Sequence, residues 1–314
     1  MLAGVKHRLA VGAVLAGTVL AVLMPAPAFA AQHDGTPSTS ATTSATTGAD
    51  VSWPQCGRKL PSGQAFGLVG VNGGTAATFS PCLPSEVNWA RSTAGTTGQP
   101  KLAFYINTAN PYGQGSWWPT SDFDKPRAGT APYPTGTLPV SSVTYPGSGN
   151  PIGCTTTATG GPSYNSKCAY VYGFVRAEQA VEWAREQIAG LDPVAYRWWL
   201  DVETTNTWQA DTASNAASLA GAAAYLKQAG LGVGAYSTTA QWTSIVGGTR
   251  SNIPPLPNGA PSTLIGLDEW GAGASSLKGA QSNCTAATSF TGGQNRLMQY
   301  VSNGTDYDVS CGAY

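Results

Sequence analysis

The sequence predicts an α/β fold: a single TIM-like (β/α) barrel carrying a disulfide-stapled insertion. Three observations point there. Short, nearly continuous apolar strands recur along the chain and alternate with helical patterns, which favours a parallel sheet covered by helices. The stretch able to fold, about residues 50–314, is close to the ~250 residues of one barrel domain. Six cysteines, at 56, 82, 154, 168, 284 and 311, follow an apparent export signal, an arrangement typical of structural disulfides.

The elements justify this in order. Residues 1–30 read as a signal peptide, with Lys6 and Arg8 as the positive head, Leu9 to Met24 as the apolar middle and Ala28-Phe29-Ala30 as the cleavage site. A secreted, extracellular protein is expected, with no membrane association after cleavage. Residues 31–49 hold nine Ser/Thr among nineteen positions, too polar to bury a core, and read as a flexible linker. Expected strands are Phe66–Asn72, Leu102–Asn107, Trp198–Glu203, Leu231–Ser237, Leu264–Trp270 and Leu297–Val301. Ala177, Ala180, Val181, Ala184 and Ile188 share one helical face, with Gly190 as the stop. Asp211 or Thr212 can cap an Ala-rich helix running to Ala229 and Gly230. About residues 111–168 have no periodicity, are rich in Pro, Gly, Ser and Thr, and contain Trp117-Trp118. This is the expected insertion near one barrel mouth. The simplest disulfides join sequence neighbours, Cys56–Cys82, Cys154–Cys168 and Cys284–Cys311, among about fifteen connectivities that six cysteines allow.

Composition narrows function. Removing Lys6 and Arg8 leaves 14 basic and 16 acidic residues and no Lys/Arg run, so neither nucleic acid nor an anionic membrane is an expected partner. Both histidines, His7 and His33, precede the barrel, which excludes a Ser-His-Asp or Cys-His mechanism and a His-ligated zinc there. No GxxxxGK[ST] loop or strand-borne GxGxxG occurs. No cofactor and no metal are expected, and catalysis is left to carboxylates.

Arg197-Trp198-Trp199-Leu200-Asp201-Val202-Glu203 supplies them. Side chains alternate along a strand, so Trp199, Asp201 and Glu203 share a face while Trp198, Leu200 and Val202 take the other. Charged residues are 10% of this chain against about 25% in an average domain, so two acids closing an apolar strand suit acid/base chemistry. Aromatics at strand ends, Trp53, Tyr105, Tyr236, Trp270 and Tyr300, offer faces for sugar stacking, and Trp117-Trp118 could flank a groove. Asn72, Asn107 and Gln299 are the accompanying polar candidates. Asp268 and Glu269 point to opposite faces, so at most one can enter the barrel.

These motifs resemble family 25 of the glycoside hydrolases, the muramidases that cut peptidoglycan. Asp50-Val51-Ser52 is similar to the family's opening motif, Leu200-Asp201-Val202-Glu203 to its Leu-Asp-x-Glu strand, Ala235-Tyr236-Ser237 to the next strand and Leu297-Met298-Gln299-Tyr300 to the last. Asp308 sits where the family carries a further aspartate. The resemblance implies a modified β/α barrel in which Glu203 protonates the glycosidic oxygen while Asp201, Asp50 and Asp308 shape the sugar site. It implies a cell-wall polysaccharide partner, and a monomer is expected. Two positions depart from the family: Asn72-Gly73-Gly74 where a Glu-Gly pair is usual, and Tyr172-Gly173-Phe174 for the Tyr-His-Phe after the third strand. A non-catalytic glycan-binding barrel is the alternative reading, and a structural surface protein without a groove is a third.

Overall fold

The computed structural model describes residues 46–112, 117–119, 143–154, 165–285 and 289–313. The signal peptide, nearly all of the linker and most of the insertion lie outside the described residues.

Eight strands close into one barrel in sequence order. They are β1 (Thr47–Val51), β2 (Gly67–Gly70), β3 (Leu102–Asn107), β4 (Arg197–Asp201), β5 (Gly232–Ser237), β6 (Asp268–Ala274), β7 (Asn295–Ser302) and β8 (Thr305–Ser310). The helices are α1 (Leu83–Arg91) after β2, α2 (Ser166–Gln187) before β4, then α3 (Thr212–Gln228), α4 (Thr239–Val246) and α5 (Leu277–Asn283), each between successive strands. The strands from β1 to β7 run parallel, whereas β8 is antiparallel to both β7 and β1. The expected parallel barrel therefore holds for seven strands, and the eighth makes it mixed. The cause is local: Asn303 and Gly304 take φ of 53° and 72°, the left-handed pair of a tight hairpin, which reverses the chain without a crossover helix.

Strand alternation sorts side chains into two cores. Phe66, Leu68, Ala103, Trp199, Tyr236, Trp270 and Leu297 fill the barrel interior. Trp198, Leu200, Val202, Phe104 and Ile106 face outward into the layer beneath the helices. The interior accommodates Trp199 only because β5 offers Gly234 beside it, where a Cβ would sit 2.2 Å from the indole. Outside, α2 and α3 meet backbone to backbone. A Cβ on Gly173 would lie 1.8 Å from the Ser218 carbonyl oxygen, and one on Gly221 would lie 2.0 Å from that of Tyr170. The small residues of the Ala-rich α3 thus permit a close helix pair, which overpacking would cost about 1–3 kcal/mol.

Several boundaries move. Thr47–Ala49, assigned to the linker, form the buried start of β1, because pairing with β2 and β8 satisfies their backbone. The expected Leu264–Trp270 strand is displaced to Asp268–Ala274; Leu264 and Leu267 are buried in turns beneath the helices instead. Helix α2 begins at Ser166, with Asn165 Oδ1 accepting from Cys168 N at 3.0 Å, so the expected insertion ends inside its first turn. Tyr172-Gly173-Phe174 accordingly lies within α2 and not at the end of the third strand. Trp117 and Trp118 stack on Tyr172 of that helix, at 6.1 and 5.4 Å between ring centres, with the Arg176 guanidinium 5.5 Å from Trp117. They pack against the helix layer and do not flank the groove.

The bridges are Cys56–Cys82, Cys154–Cys168 and Cys284–Cys311. They brace the turn after β1 against the start of α1, the insertion against α2, and the end of α5 against the end of β8.

Candidate active site

The carboxyl ends of β1 to β7 and the amino end of β8 share one mouth, and a cavity of about 520 Å³ opens there. Its wall includes Asp50, Asp201, Glu203 and Asp306, with Trp53, Tyr105, Asn107, Tyr236, Trp270 and Gln299. Ligand cavities are commonly ~300–1,000 Å³, so the volume suits a sugar-sized occupant. Among the described residues no Lys or Arg belongs to this wall. Among the described residues no group of three or more His, Cys, Asp or Glu is placed to hold a metal ion.

Strand parity delivers the acids. Asp201 ends β4 on the face of Trp199, and Glu203 follows two residues on. Asp201 is 5% exposed; its Oδ2 accepts from Asn107 Nδ2 at 2.6 Å, while Oδ1 has no hydrogen-bond partner. Its strand end is tied down, since Thr108 Oγ1 donates to the Asp201 carbonyl at 2.5 Å. Glu203 is half-buried, and its carbonyl accepts from Trp208 Nε1 at 2.7 Å and from Asn206 N at 3.1 Å. The backbone carrying the two acids is thereby fixed, while both carboxyls face the cavity.

Burial raises the proton affinity of every acid here. Asp201 is pushed well above its ordinary range by burial first and the Glu203 charge second. Glu203 is raised by burial and then by the charge of Asp306, against hydrogen bonds from Thr205 and Tyr236. Asp50 is pushed up to about 7 by burial and Asp306, with Gln299 and Asp308 opposing. Tyr105 and Tyr236 are also raised by burial, so both stay neutral hydroxyl donors. Tyr236 Oη donates to Gln299 Oε1 at 2.8 Å, and Gln299 Nε2 donates to Asp50 Oδ2 at 2.9 Å. Tyr105 Oη donates to the Val51 carbonyl at 3.2 Å.

The structure brings together most of the sequence candidates and removes three. Asp308 is fully buried under the cavity wall, accepting from Trp270 Nε1 at 2.7 Å. Because β8 runs backwards, the earlier of its two inward acids is nearer the mouth. Asp306 therefore lines the cavity where Asp308 was expected. Asn72 is also internal, its Nδ2 donating to the Thr78 carbonyl at 3.0 Å and its Oδ1 accepting from Asn107 N at 2.9 Å. With both ends of its amide committed to backbone, it is a structural tie. Tyr300 alternates out of the barrel between Gln299 and Val301, joins the cluster of Met298 and Val309, and stacks on Tyr307 at 5.6 Å. Sequence reasoning missed Asp306 and Val301. The Asn303-Gly304 hairpin signal followed by acids two apart was the clue to Asp306. Trp53 stands at the rim, 47% exposed, over Gly74, where a Cβ would meet its indole at 2.7 Å.

Asp268 and Glu269 stay away from the mouth. Asp268, at the opposite end of β6, pairs with Arg197 and Arg296. Glu269 is sealed against the loop before β7, accepting from Ser289 Oγ, Phe290 N, Thr291 N and Thr291 Oγ1.

A protein-family model described as Lys-1, lysozyme-like protein 1, matches residues 171–255. The matched stretch runs from α2 through α4 and contains Asp201, Glu203 and Tyr236. No curated protein and no solved structure matches the chain.

Proposed function

We propose that this is a secreted glycoside hydrolase acting on cell-wall glycan, muramidase-like in hydrolysing peptidoglycan by carboxylate acid/base chemistry. The observation that carries the reading is the placement of Asp201 and Glu203 on one wall of a cavity that holds no Lys or Arg among the described residues, with Asp50 and Asp306 beside them. The similarity of residues 171–255 to a lysozyme-like family supports it, because that stretch holds the two acids. The three disulfides fit an oxidising compartment. Among the described residues no helix is long and apolar enough to cross a membrane.

In this reading Glu203 is the general acid. It is the more accessible of two coupled carboxyls, and burial together with Asp306 keeps a proton on it toward neutral pH. That proton passes to the glycosidic oxygen as the bond to the anomeric carbon breaks. Asp201, clamped by Asn107, and Asp50, clamped by Gln299, face the positive charge that develops on the sugar. Tyr105, Tyr236 and Trp270 form the floor, and Trp53 offers an exposed face at the rim for the apolar side of a sugar ring. The polymer binds as polysaccharide to a monomeric barrel needing no cofactor.

A second reading has a specific observation behind it. Where the resembling family carries an acid on the second strand, this chain has Asn72, fully committed to backbone, which favours a barrel that grips wall glycan without cutting it. Release of reducing ends from purified peptidoglycan by the mature protein decides between them. Hydrolysis that disappears in Glu203→Gln while pull-down of peptidoglycan persists is the expected result. Pull-down by the unmutated protein with no reducing ends released gives the answer to the binding barrel.

A further inference from the structure

Asp308, unlike Asp50, Asp201 and Asp306, does not line the cavity at the mouth, and its surroundings are unusual for a carboxylate. It is 0% exposed. Its Oδ1 accepts from Trp270 Nε1, while its Oδ2 meets no donor. The carboxyl of Asp50 lies within hydrogen-bonding range of it. The register explains the approach: Gly48 opposes Asp308 across β1 and β8, so Asp50, two residues on, lies diagonal to it on the same inner face.

The groups facing Asp308 leave its charge uncompensated. β1 brings Asp50, β5 brings Tyr236, β6 brings Trp270, β7 brings Gln299 with Tyr300 near it on the outer face, and its own strand brings Asp306. From outside, α5 packs on β8 with Lys278, which is exposed and makes no ion pair with it among the described residues. Arg296 is occupied by Asp268. A buried carboxylate with one indole donor and a second carboxylate as neighbour is costly, and a proton between the two oxygens removes that cost.

We propose that Asp308 is a positioning residue that stays protonated and donates its carboxyl hydrogen to Asp50. Asp50 is then gripped from two sides, by Gln299 Nε2 and by Asp308, and is the member of the pair that ionises. The floor of the cavity can gain one negative charge there but not two. Burial, Asp50 and Asp306 all push the affinity of Asp308 for its proton in the direction this requires.

Asp308→Asn tests it, because an amide reproduces a protonated carboxyl: its oxygen accepts from Trp270 and its NH2 donates to Asp50. An acid that holds its proton more tightly folded than unfolded loses stability, relative to Asn, as pH rises above its unfolded value of about 4. The melting temperature of Asp308→Asn should therefore match the unmutated protein near pH 4 and exceed it by pH 8, by at least about 2–4 °C. Asp308→Ala should be less stable than either at every pH. A loss of stability in Asp308→Asn that deepens from pH 4 to pH 8 overturns the proposal, because it means Asp308 is ionised in the fold. A second check of Asp308 comes from carboxyl ¹³C shifts of aspartate-labelled protein. With Asp201→Asn as a control for the other buried aspartate, at least one aspartate should remain protonated past neutral pH. If all titrate near their ordinary value, the proposal fails. One further arm rests on the hydrolase reading: turnover should survive in Asp308→Asn and fall in Asp308→Ala. The stability and shift measurements stand without it, so the two readings fail separately.

Discussion

Two pairs of acids in this barrel, Asp201 with Glu203 and Asp268 with Glu269, are made of the same residue types and serve opposite ends. Glu269 is fully buried, yet it is surrounded by donors from Ser289, Phe290 and Thr291, and Asp268 stands between two guanidiniums. Among the described residues Asp201 and Glu203 have no Lys or Arg beside them in the cavity wall, one oxygen of Asp201 makes no hydrogen bond, and both face a cavity. The protein supplies donors and counter-charges where an acid holds the fold together. Among the described residues it places fewer of them at the mouth, where burial keeps protons on the carboxyls that the proposed acid chemistry would use. Burial alone does not separate the two uses; the supply of partners does.

The largest expected effect contrasts Glu203 with Glu269. Glu203→Gln should lower turnover on peptidoglycan by about 10²–10⁴-fold, with the melting temperature unchanged or raised. Glu269→Gln should instead destabilise by about 3 kcal/mol or more, because an amide turns its NH2 toward backbone donors. Urea denaturation and reducing-end assays on both variants give the answer, and equal stability of the two would break the comparison. Asp268→Asn comes next. It strands Arg197 and Arg296 without their counter-charge, and the loss should fall between the ~0.2–1 kcal/mol of an exposed pair and the ~3–5 kcal/mol of a buried one.

The mouth pair should also carry a pH dependence. Asp201 holds its proton more tightly folded than unfolded, so its charged form costs stability above about pH 4. Asp201→Asn should thus be more stable than the unmutated protein at pH 8 and no different near pH 4, seen as melting temperatures that diverge as pH rises. Turnover should fall as pH rises through the raised range of the Asp201–Glu203 pair, since the acid must be protonated. Asp306→Asn removes the largest charge acting on Glu203, so that alkaline limb should move to lower pH. An unmoved limb would show that Asp306 does not tune the acid. The smallest effect belongs to Trp53→Ala, which should weaken glycan binding by about 2–12-fold, the ~0.5–1.5 kcal/mol of one aromatic contact, without a change in melting temperature.

Much of this arrangement was legible in the sequence because it depends on period two. The parity of Trp199, Asp201 and Glu203, the apolar outer face of Trp198, Leu200 and Val202, and the span Leu102–Asn107 of β3 all follow from alternation within one strand. The errors arose where the outcome depended on a neighbour. Leu264 and Leu267 look like a strand start, yet they are buried by the helix layer while β6 begins at Asp268, where Arg197 and Arg296 wait for a carboxylate. Tyr300 looks like a sugar platform until the parity of Gln299, which binds Asp50, sends it outward.

What the sequence determined by itself was local: an apolar strand closing on two acids, an Ala-rich helix capped at Asp211 or Thr212 and stopped by Gly230, a folded region without histidine and cysteines enough for three bridges. What only the tertiary structure decided was direction and company. Hairpin reversal at Asn303-Gly304 placed Asp306 at the mouth and Asp308 beneath it, a choice made by the sign of one strand. Whether an acid meets guanidiniums, backbone donors or open space is set by residues up to 249 positions apart, as for Gln299 and Asp50. Alternation is carried by the chain's own geometry, but the partners of a buried charge come from elsewhere in the fold, and no local pattern records them.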